Sequence, residues 1–329
     1  MRTVEWTRDR NDEGFTSFRL FLSSHGIRVR DYSELMSKMG HFRTEGPGNF
    51  QLVSDFDRTL TPQWLREPCS KTGKLVACHS SHGVIESSPF MSSHYVKTTR
   101  QLAEYYIPLE HDHRLDFEQK KQAMEEWYHK AHDCMLEEEI SRAKLREMVT
   151  HAWSSCEIHL RHKTTDLCSF LRHLKIPVTI LSAGVADVID GILKLENIPS
   201  GEGSNTMVVA NRMIFREEDG KHVGFSEPMI HSLNKRDALK SALCASAVRV
   251  ERPNAVVMGD LIGDVDFVHS IPHLQEYIAI GFLADPRPGD LPGNHEDRVN
   301  AYLQHFDIVI LNGAASMEVV MELLTSVFS

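Results

Sequence analysis

Short apolar runs alternate with helix-period stretches along most of this 329-residue chain, and one long segment breaks the rhythm. Leu52-Val53, Ile176–Leu181, Ala255–Met258, Tyr277–Leu283 and Asp307–Leu311 are apolar runs bounded by polar turn residues. That is the pattern of strands buried on both faces of a parallel sheet. Helices are predicted over Asp31–Met39 (capped by Asp31 or Ser33), Thr165–Leu174, Val185–Glu196, Lys235–Ala247, Val265–Ser270, near His295–His305 and over Ser316–Val327. Met207–Phe225 alternates around Glu218-Asp219-Gly220 and predicts a hairpin. Strands alternating with helices predict an α/β fold, a mainly parallel sheet with helices on both faces.

The break comes after Thr61. Trp64–Thr98 has little periodicity, and helical stretches follow at Thr98–Tyr106, Phe117–Glu139 and Ser141–Ser154. Met124, Trp127, Tyr128, Ala131 and Met135 form an apolar stripe on the middle one. This segment reads as a helical insertion between the first strand and the rest of the sheet. Residues 1–30 read as an N-terminal extension, frayed or loosely docked.

Composition narrows the function classes. The net charge of −10 argues against a binder of nucleic-acid backbone, which needs a clustered basic face. Six cysteines without a CxxC pair suggest reduced thiols in an intracellular setting. No run approaches the roughly 20 apolar residues of a membrane span. Glu5, Asp9, Asp12 and Glu13 are wrong for a transit peptide, so a cytoplasmic location is expected. Phe15–Arg30, basic, aromatic and free of acids, keeps organelle targeting as the alternative. Cys78, His79 and His82, or His111 and His113, lack the second ligand pair of a structural zinc site.

The chemistry-bearing residues sit at predicted strand ends and helix starts. Asp55 and Asp57 end the first strand, where ligands bind in open α/β sheets. Taken alone they are either a solvated pair or a site for a cation or a reaction. Ser182-Ala183-Gly184 is either a helix cap with a glycine turn or an anion site at a helix N-terminus. Lys235 in a first helical turn opposes the macrodipole unless an anion faces it, and is otherwise a solvated side chain. Asp260 and Asp264, in GDLIGD, are either a capped turn or two acids aimed at one spot.

In order, these segments compose DxDxT, a strand-end serine, a lysine and GDxxGD. The chain resembles the haloacid-dehalogenase-like phosphatases. SSHGVIE (Ser80–Glu86), YYIPLEHD (Tyr105–Asp112), EEWYHKAH (Glu125–His132), LSAGVADVID (Leu181–Asp190), IHSLNKRDAL (Ile230–Leu239) and GDLIGDVDF (Gly259–Phe267) resemble the cytosolic pyrimidine 5′-nucleotidase (type III 5′-nucleotidase) family. The similarity runs from about Asp31 to the C-terminus.

The resemblance implies a Rossmann-like core at residues 31–63 and 164–329, with a helical C1-type cap at 64–163. It implies Mg²⁺-dependent hydrolysis of nucleoside 5′-monophosphates, with pyrimidine nucleotides (UMP, CMP) the expected substrates. The nucleophile would be Asp55, with Asp57 the general acid and base. Asp55, the Asp57 carbonyl, Asp260 and Asp264 would hold the metal. Thr59, Ser182, Ala183, Gly184 and Lys235 would hold the phosphate, and Glu110, His82 and Trp64 would read the base. Ala131 stands where a family member has serine, which removes one polar contact. Alternatives are a 7-methylguanosine monophosphate nucleotidase, a phosphoserine-type phosphatase and a retired scaffold. The intact acid and lysine set argues against the last. The expected partner is a small nucleotide, with neither nucleic acid nor membrane, and the expected state is a monomer or weak homo-oligomer. Interception of the phospho-enzyme by a nucleoside in place of water stays open.

Overall fold

The computed structural model describes residues 5–25, 27–65, 76–110, 112, 114–245, 252–284, 293–311 and 316–329, with backbone only at 5–14, 243–245 and 293–294. His111 and His113 lie outside the described residues. By internal contacts the chain forms two compact units, one of residues 1–63, 160–178 and 249–329, the other of 64–159 and 179–248.

In the first unit five strands pair in the order β1 (Arg28–Val29), β9 (Ile308–Leu311), β8 (Glu276–Leu283), β7 (Asn254–Gly259) and β2 (Phe50–Ser54). All neighbours are parallel except β1, which runs antiparallel to β9. Every residue of β2 and of β7 is buried, as expected for apolar runs covered on both faces. The β2–β7 register pairs Ser54 with Met258. The next residues of both strands therefore emerge together at the carboxyl edge of the sheet.

Helices α2 (Tyr32–Glu45) and α11 (Glu318–Phe328) bracket this unit in sequence and pack on each other. Asp31 caps α2, accepting from the N–H groups of Ser33 and Glu34, so the predicted cap holds and the helix runs a turn and a half further. The extension is not loose. It forms α1 (Glu5–Ser24), which packs on α11 and buries Phe18 and Leu22. The Arg43 guanidinium lies 4.1 Å over the Phe15 ring. The polar first half of α1 hides this in the sequence.

Asp307, before β9, is buried among cations. It accepts from Arg30 and, at 3.0 and 3.2 Å, from Lys38, while its second oxygen accepts the Ala279 N–H at 2.8 Å. Burial works to deprotonate Lys38, but the adjacent Asp307 and Glu34 outweigh it and hold the ammonium above the ordinary lysine range.

The second unit holds most of β3 (Val178–Val185), then α8 (Ala186–Leu195), β4 (Thr206–Asn211), the hairpin β5–β6 (Met213–Phe215, His222–Phe225) and α9 (Lys235–Ala245). With them are α3 (Ser81–Glu86), α4 (Ser93–Glu110), α5 (Phe117–Glu137) and α6 (Arg142–Ser154). Helix α6 crosses α8 closely: a Cβ on Gly191 would meet Val149 Cγ1 at 2.9 Å. In the first unit, α7 (Thr164–His173) buries its Leu167 and Leu171.

Three expectations are corrected here. Helix α4 continues through Pro108 to Glu110 instead of stopping at Tyr106. Pro108 cannot give the hydrogen bond to the carbonyl four residues back, and the helix ends two residues later. Strand β3 runs through Ser182-Ala183-Gly184 to Val185, so that tripeptide is strand and not the turn before α8. Finally, only β5 and β6 form the hairpin predicted over Met207–Phe225, β4 being a separate strand.

Asp307→Ala leaves Lys38 buried without its nearest anion and the Ala279 N–H unpaired. The expected loss is about 3–5 kcal/mol of unfolding free energy, measured by urea denaturation. A loss below 1 kcal/mol would show that the network is solvated.

Candidate active site

Asp55 follows β2 directly, and its N–H donates to Met258 O at 3.0 Å, so strand pairing extends to the residue that carries the carboxylate. On the neighbouring strand Gly259 ends β7, and Asp260 and Asp264 follow. One carboxylate oxygen each from Asp55, Asp260 and Asp264 lies within 4.8 Å of the others. Asp55 and Asp264 are buried and Asp260 is half-buried. Like charges this close raise one another's cost of ionisation unless a cation joins them. The donors are all hard oxygens, with no nitrogen or sulfur, which suits a hard divalent ion. The cluster can hold a metal ion.

Its geometry depends on neighbours with no charge. A Cβ on Gly259 would sit 2.2 Å from Asp264 Cβ and 2.5 Å from its Oδ2, so only glycine lets the Asp264 side chain fold back over the strand end. Asp264 Oδ2 also accepts the Leu261 N–H at 3.0 Å. The Tyr302 hydroxyl donates to Asp260 O at 2.6 Å. Burial, then the charge of Asp260, pushes that phenol up to about 12.

The segment after Asp55 turns sharply. Asp57 is half-buried, Arg58 has φ 63°, and the Arg58 N–H donates to Thr61 Oγ1 at 2.9 Å. Thr59 is fully buried and donates to Asp55 Oδ2 over a long 3.4 Å. Arg161, which sequence reasoning missed, clamps this turn. Its Nε donates to Thr59 O at 2.8 Å, its Nη2 to Arg58 O at 2.7 Å and its backbone N–H to Leu60 O at 2.8 Å. Its guanidinium rests 4.5 Å over the Phe282 ring. No spacing in the sequence marks an arginine that binds backbone carbonyls a hundred residues away.

Ser182 and Lys235 belong to the second unit. Ser182 is buried in β3, and its Oγ accepts the Gly184 N–H at 3.0 Å. That N–H, expected to face an anion, is used locally. Lys235 is buried at the first position of α9.

Also in the second unit, His82 on α3 stands edge-on to Tyr128 of α5 at 5.7 Å and stacks 6.1 Å from His132. His132 lies face to face with Phe225 at 3.7 Å. Tyr128 also meets His231 at 6.2 Å, and the charge of Glu110 is felt at His231. The Glu110 charge thus reaches the ring cluster that contains His82. Trp64 bridges to Ala77 instead, with no ring contact to that cluster among the described residues. Trp127 lies parallel to Tyr106 at 6.0 Å, half-buried. The apolar stripe foreseen on α5 omitted His132, which is as buried there as Met124 and Met135.

Burial lowers His82 to about 4, His132 to about 3 (with the His82 charge next) and His222 to about 4. A buried imidazole that resists protonation costs nothing above pH 6.5. Below that the unfolded chain takes up the proton and the folded chain does not, so stability falls as pH falls towards the folded pKa.

Two outcomes follow. Gly259→Ala should weaken divalent-cation binding by about 10–100-fold in titration calorimetry, because it displaces a ligand. Unchanged affinity would remove Asp264 from the cluster. Between pH 6.5 and 5 the wild-type chain should lose about 1–2 kcal/mol per buried imidazole, read as a falling melting temperature. His132→Phe, which keeps the stack on Phe225, should flatten that slope; an unchanged slope would show that His132 is solvated.

The comparisons with known proteins agree with this geometry. Residues 70–328 match the family described as Pyrimidine 5'-nucleotidase (UMPH-1). The chain is 27% identical to the 7-methylguanosine phosphate-specific 5'-nucleotidase of Gallus gallus, covering 88% of this chain and 92% of that one. It is 30% identical to the protein of the same name in Drosophila melanogaster, covering 88% and 84%. The crystal structure of cytosolic 5'-nucleotidase IIIB bound to cytidine is similar over 95% of this chain and 97% of that one, with a TM-score of 0.74 and 27% identity. The mainly parallel α/β fold is thus matched by a solved structure, and most of the chain by the family. The chain belongs to the pyrimidine 5'-nucleotidase (UMPH-1) family and is a phosphoric monoester hydrolase.

Proposed function

We propose that the chain hydrolyses nucleoside 5′-monophosphates to nucleoside and phosphate through an aspartyl phosphate on Asp55. The observation that carries this reading is the convergence of Asp55, Asp260 and Asp264 at the ends of two adjacent parallel strands. Asp55 is buried, and Thr59 donates towards its carboxylate. Its oxygen attacks phosphorus in line, the bond from phosphorus to the nucleoside oxygen breaks, and Asp57 gives that oxygen a proton. Asp57 then takes a proton from a water whose oxygen attacks phosphorus, and the bond from phosphorus to the Asp55 oxygen breaks, which releases phosphate and restores the carboxylate. The Ser182 hydroxyl and the Lys235 ammonium hold phosphoryl oxygens, with the backbone N–H of Ala183; the Gly184 N–H, expected to join them, is bonded to Ser182 Oγ. Such preorganised donors are worth about 10²–10³ in rate each.

Asp55, Asp260, Asp264 and the Asp57 carbonyl would hold Mg²⁺. A bound Mg²⁺ would supply charge neutralisation on the phosphoryl oxygens. The insertion, residues 64–163, acts as the cap. Within it His82 and Glu110 read the base, Glu110 accepting hydrogen bonds from it.

For the base we favour 7-methylguanosine. Relatives from Gallus gallus and Drosophila melanogaster carry that specificity in their names, and a cationic purine stacks well on aromatic faces such as Trp127 and Tyr106. Trp64, the aromatic expected to serve this base, lies apart from the ring cluster. Cytidine in the similar crystal structure and the family's own description favour a second reading, a pyrimidine nucleotide. A cytoplasmic site of action is proposed, in line with the Caenorhabditis elegans relative named putative cytosolic 5'-nucleotidase 3. Among the described residues no helix is long and apolar enough to cross a membrane.

The test is phosphate release from 7-methyl-GMP, CMP, UMP, AMP and phosphoserine. Turnover of 7-methyl-GMP or CMP is expected to exceed that of phosphoserine by at least about 10²-fold. EDTA should stop it and Mg²⁺ restore it, and Asp55→Asn should reduce it to background with the fold intact. Activity in EDTA, or in the Asp55→Asn protein, would sink the mechanism.

A further inference from the structure

Asn211 ends β4 and is 1% exposed, and all its amide groups are used. Its Nδ2 donates to Ala183 O at 2.8 Å and to Ile230 O at 2.7 Å, while its Oδ1 accepts the Ile230 N–H at 2.8 Å. Only this orientation fits, since the reverse would set an NH₂ against an N–H and an oxygen against two carbonyls. The side chain behaves as an inserted peptide unit, bonded on one side to the strand that carries Ser182 and on the other to the loop that leads to Lys235.

The path from Ile230 to Lys235 is short and fully tied. The His231 N–H donates to Asn234 Oδ1 at 2.7 Å, Asn234 Nδ2 donates to Met229 O at 2.8 Å, and the Asn234 N–H returns to His231 O at 3.1 Å. Asn234 O then receives the N–H groups of Asp237 and Ala238 as α9 begins. Lys235, next to Asn234, therefore inherits its position from Ile230, and Ile230 inherits its own from Asn211. On the other side, Ala183 lies between Ser182 and Gly184, whose Oγ and N–H are bonded to each other.

We propose that Asn211 is a positioning residue of the phosphate site: its single amide sets the spacing between the Ser182 segment and the Lys235 segment. This rests on the reading that Ser182 and Lys235 hold the phosphoryl group. Asn211 touches neither substrate nor reacting atoms. It acts because a displacement of about 1 Å in a positioned group can cost about 10²-fold in rate. Aspartate has the same shape but puts a charge against two carbonyl oxygens. Alanine removes the partner of two carbonyls and one N–H in a buried setting.

The test uses the full chain with Mg²⁺, comparing wild type, Asn211→Asp and Asn211→Ala. Turnover is measured on 7-methyl-GMP, CMP and p-nitrophenyl phosphate. Calorimetry measures orthovanadate, a mimic of the phosphoryl group in flight, and the nucleosides 7-methylguanosine and cytidine. Both variants are expected to lose about 10²-fold in kcat/KM on all three esters and a similar factor in orthovanadate affinity, with nucleoside affinity within twofold of wild type. Asn211→Asp should recover relative to wild type as pH falls, because a protonated carboxyl regains an acceptor for the Ile230 N–H and one donor for a carbonyl.

Wild-type kinetics in either folded variant would overturn the proposal. So would parallel loss of orthovanadate and nucleoside affinity, or failure of both variants to fold, since either marks a general structural role. If the wild type cleaves p-nitrophenyl phosphate but no nucleotide, the nucleotide reading fails and the Asn211 comparison still stands. If it neither cleaves an ester nor binds orthovanadate, both fall.

Discussion

Three carboxylates held within 4.8 Å of one another set the terms for the rest of the first unit. At such distances a pair of like charges repels by about 4 kcal/mol where the effective dielectric constant is near 20. A fold keeps that arrangement only by making the backbone around it hard to move. Parallel pairing of β2 with β7 carries the register up to Asp55, whose own N–H still bonds to the partner strand. Gly259 gives Asp264 its space, Tyr302 ties the Asp260 carbonyl, and Arg161 ties two carbonyls of the turn after Asp57. None of these neighbours adds negative charge, and each removes a direction in which the acids could separate.

The same logic explains what could be read without coordinates. Asp55, Asp260 and Asp264 were legible because buried parallel strands are short apolar runs with sharp ends, and polar residues at those ends stand out. That these acids form one cluster followed from the family resemblance, and the β2–β7 register brings their strand ends side by side. What escaped were residues whose partners are backbone atoms far along the chain. Arg161 and Asn211 have no periodicity, since a carbonyl looks the same at every position. Strand β3 ran past its expected end because a serine and a glycine, read as turn signals, are tolerated inside a strand whose other residues are apolar and buried. Helix α1 was hidden by a polar first half, though Phe18 and Leu22, four apart, carry its buried contact.

His132 was missed for a different reason. His132 occupies an apolar face of α5 as a flat, uncharged ring, stacked on Phe225 with its Nε2 lacking a hydrogen-bond partner. Hydrophobic patterning treats histidine as polar, and composition treats it as a metal ligand, so neither describes a neutral imidazole used as an aromatic. The buried environment that lowers its pKa is also what lets it serve this way.

That neutrality bears on the base. A ring stack that stays uncharged at physiological pH offers π faces without adding a cation, and a neutral face attracts a positively charged purine where an imidazolium would repel it. Under the 7-methylguanosine reading, burial of His82 and His132 therefore does more than hold α3 against α5. It adds no positive ring charge beside Tyr128 and His231, where the charges of Glu125, Lys121 and Glu110 are felt. A pyrimidine, being neutral, would gain the stacking but not this electrostatic preference.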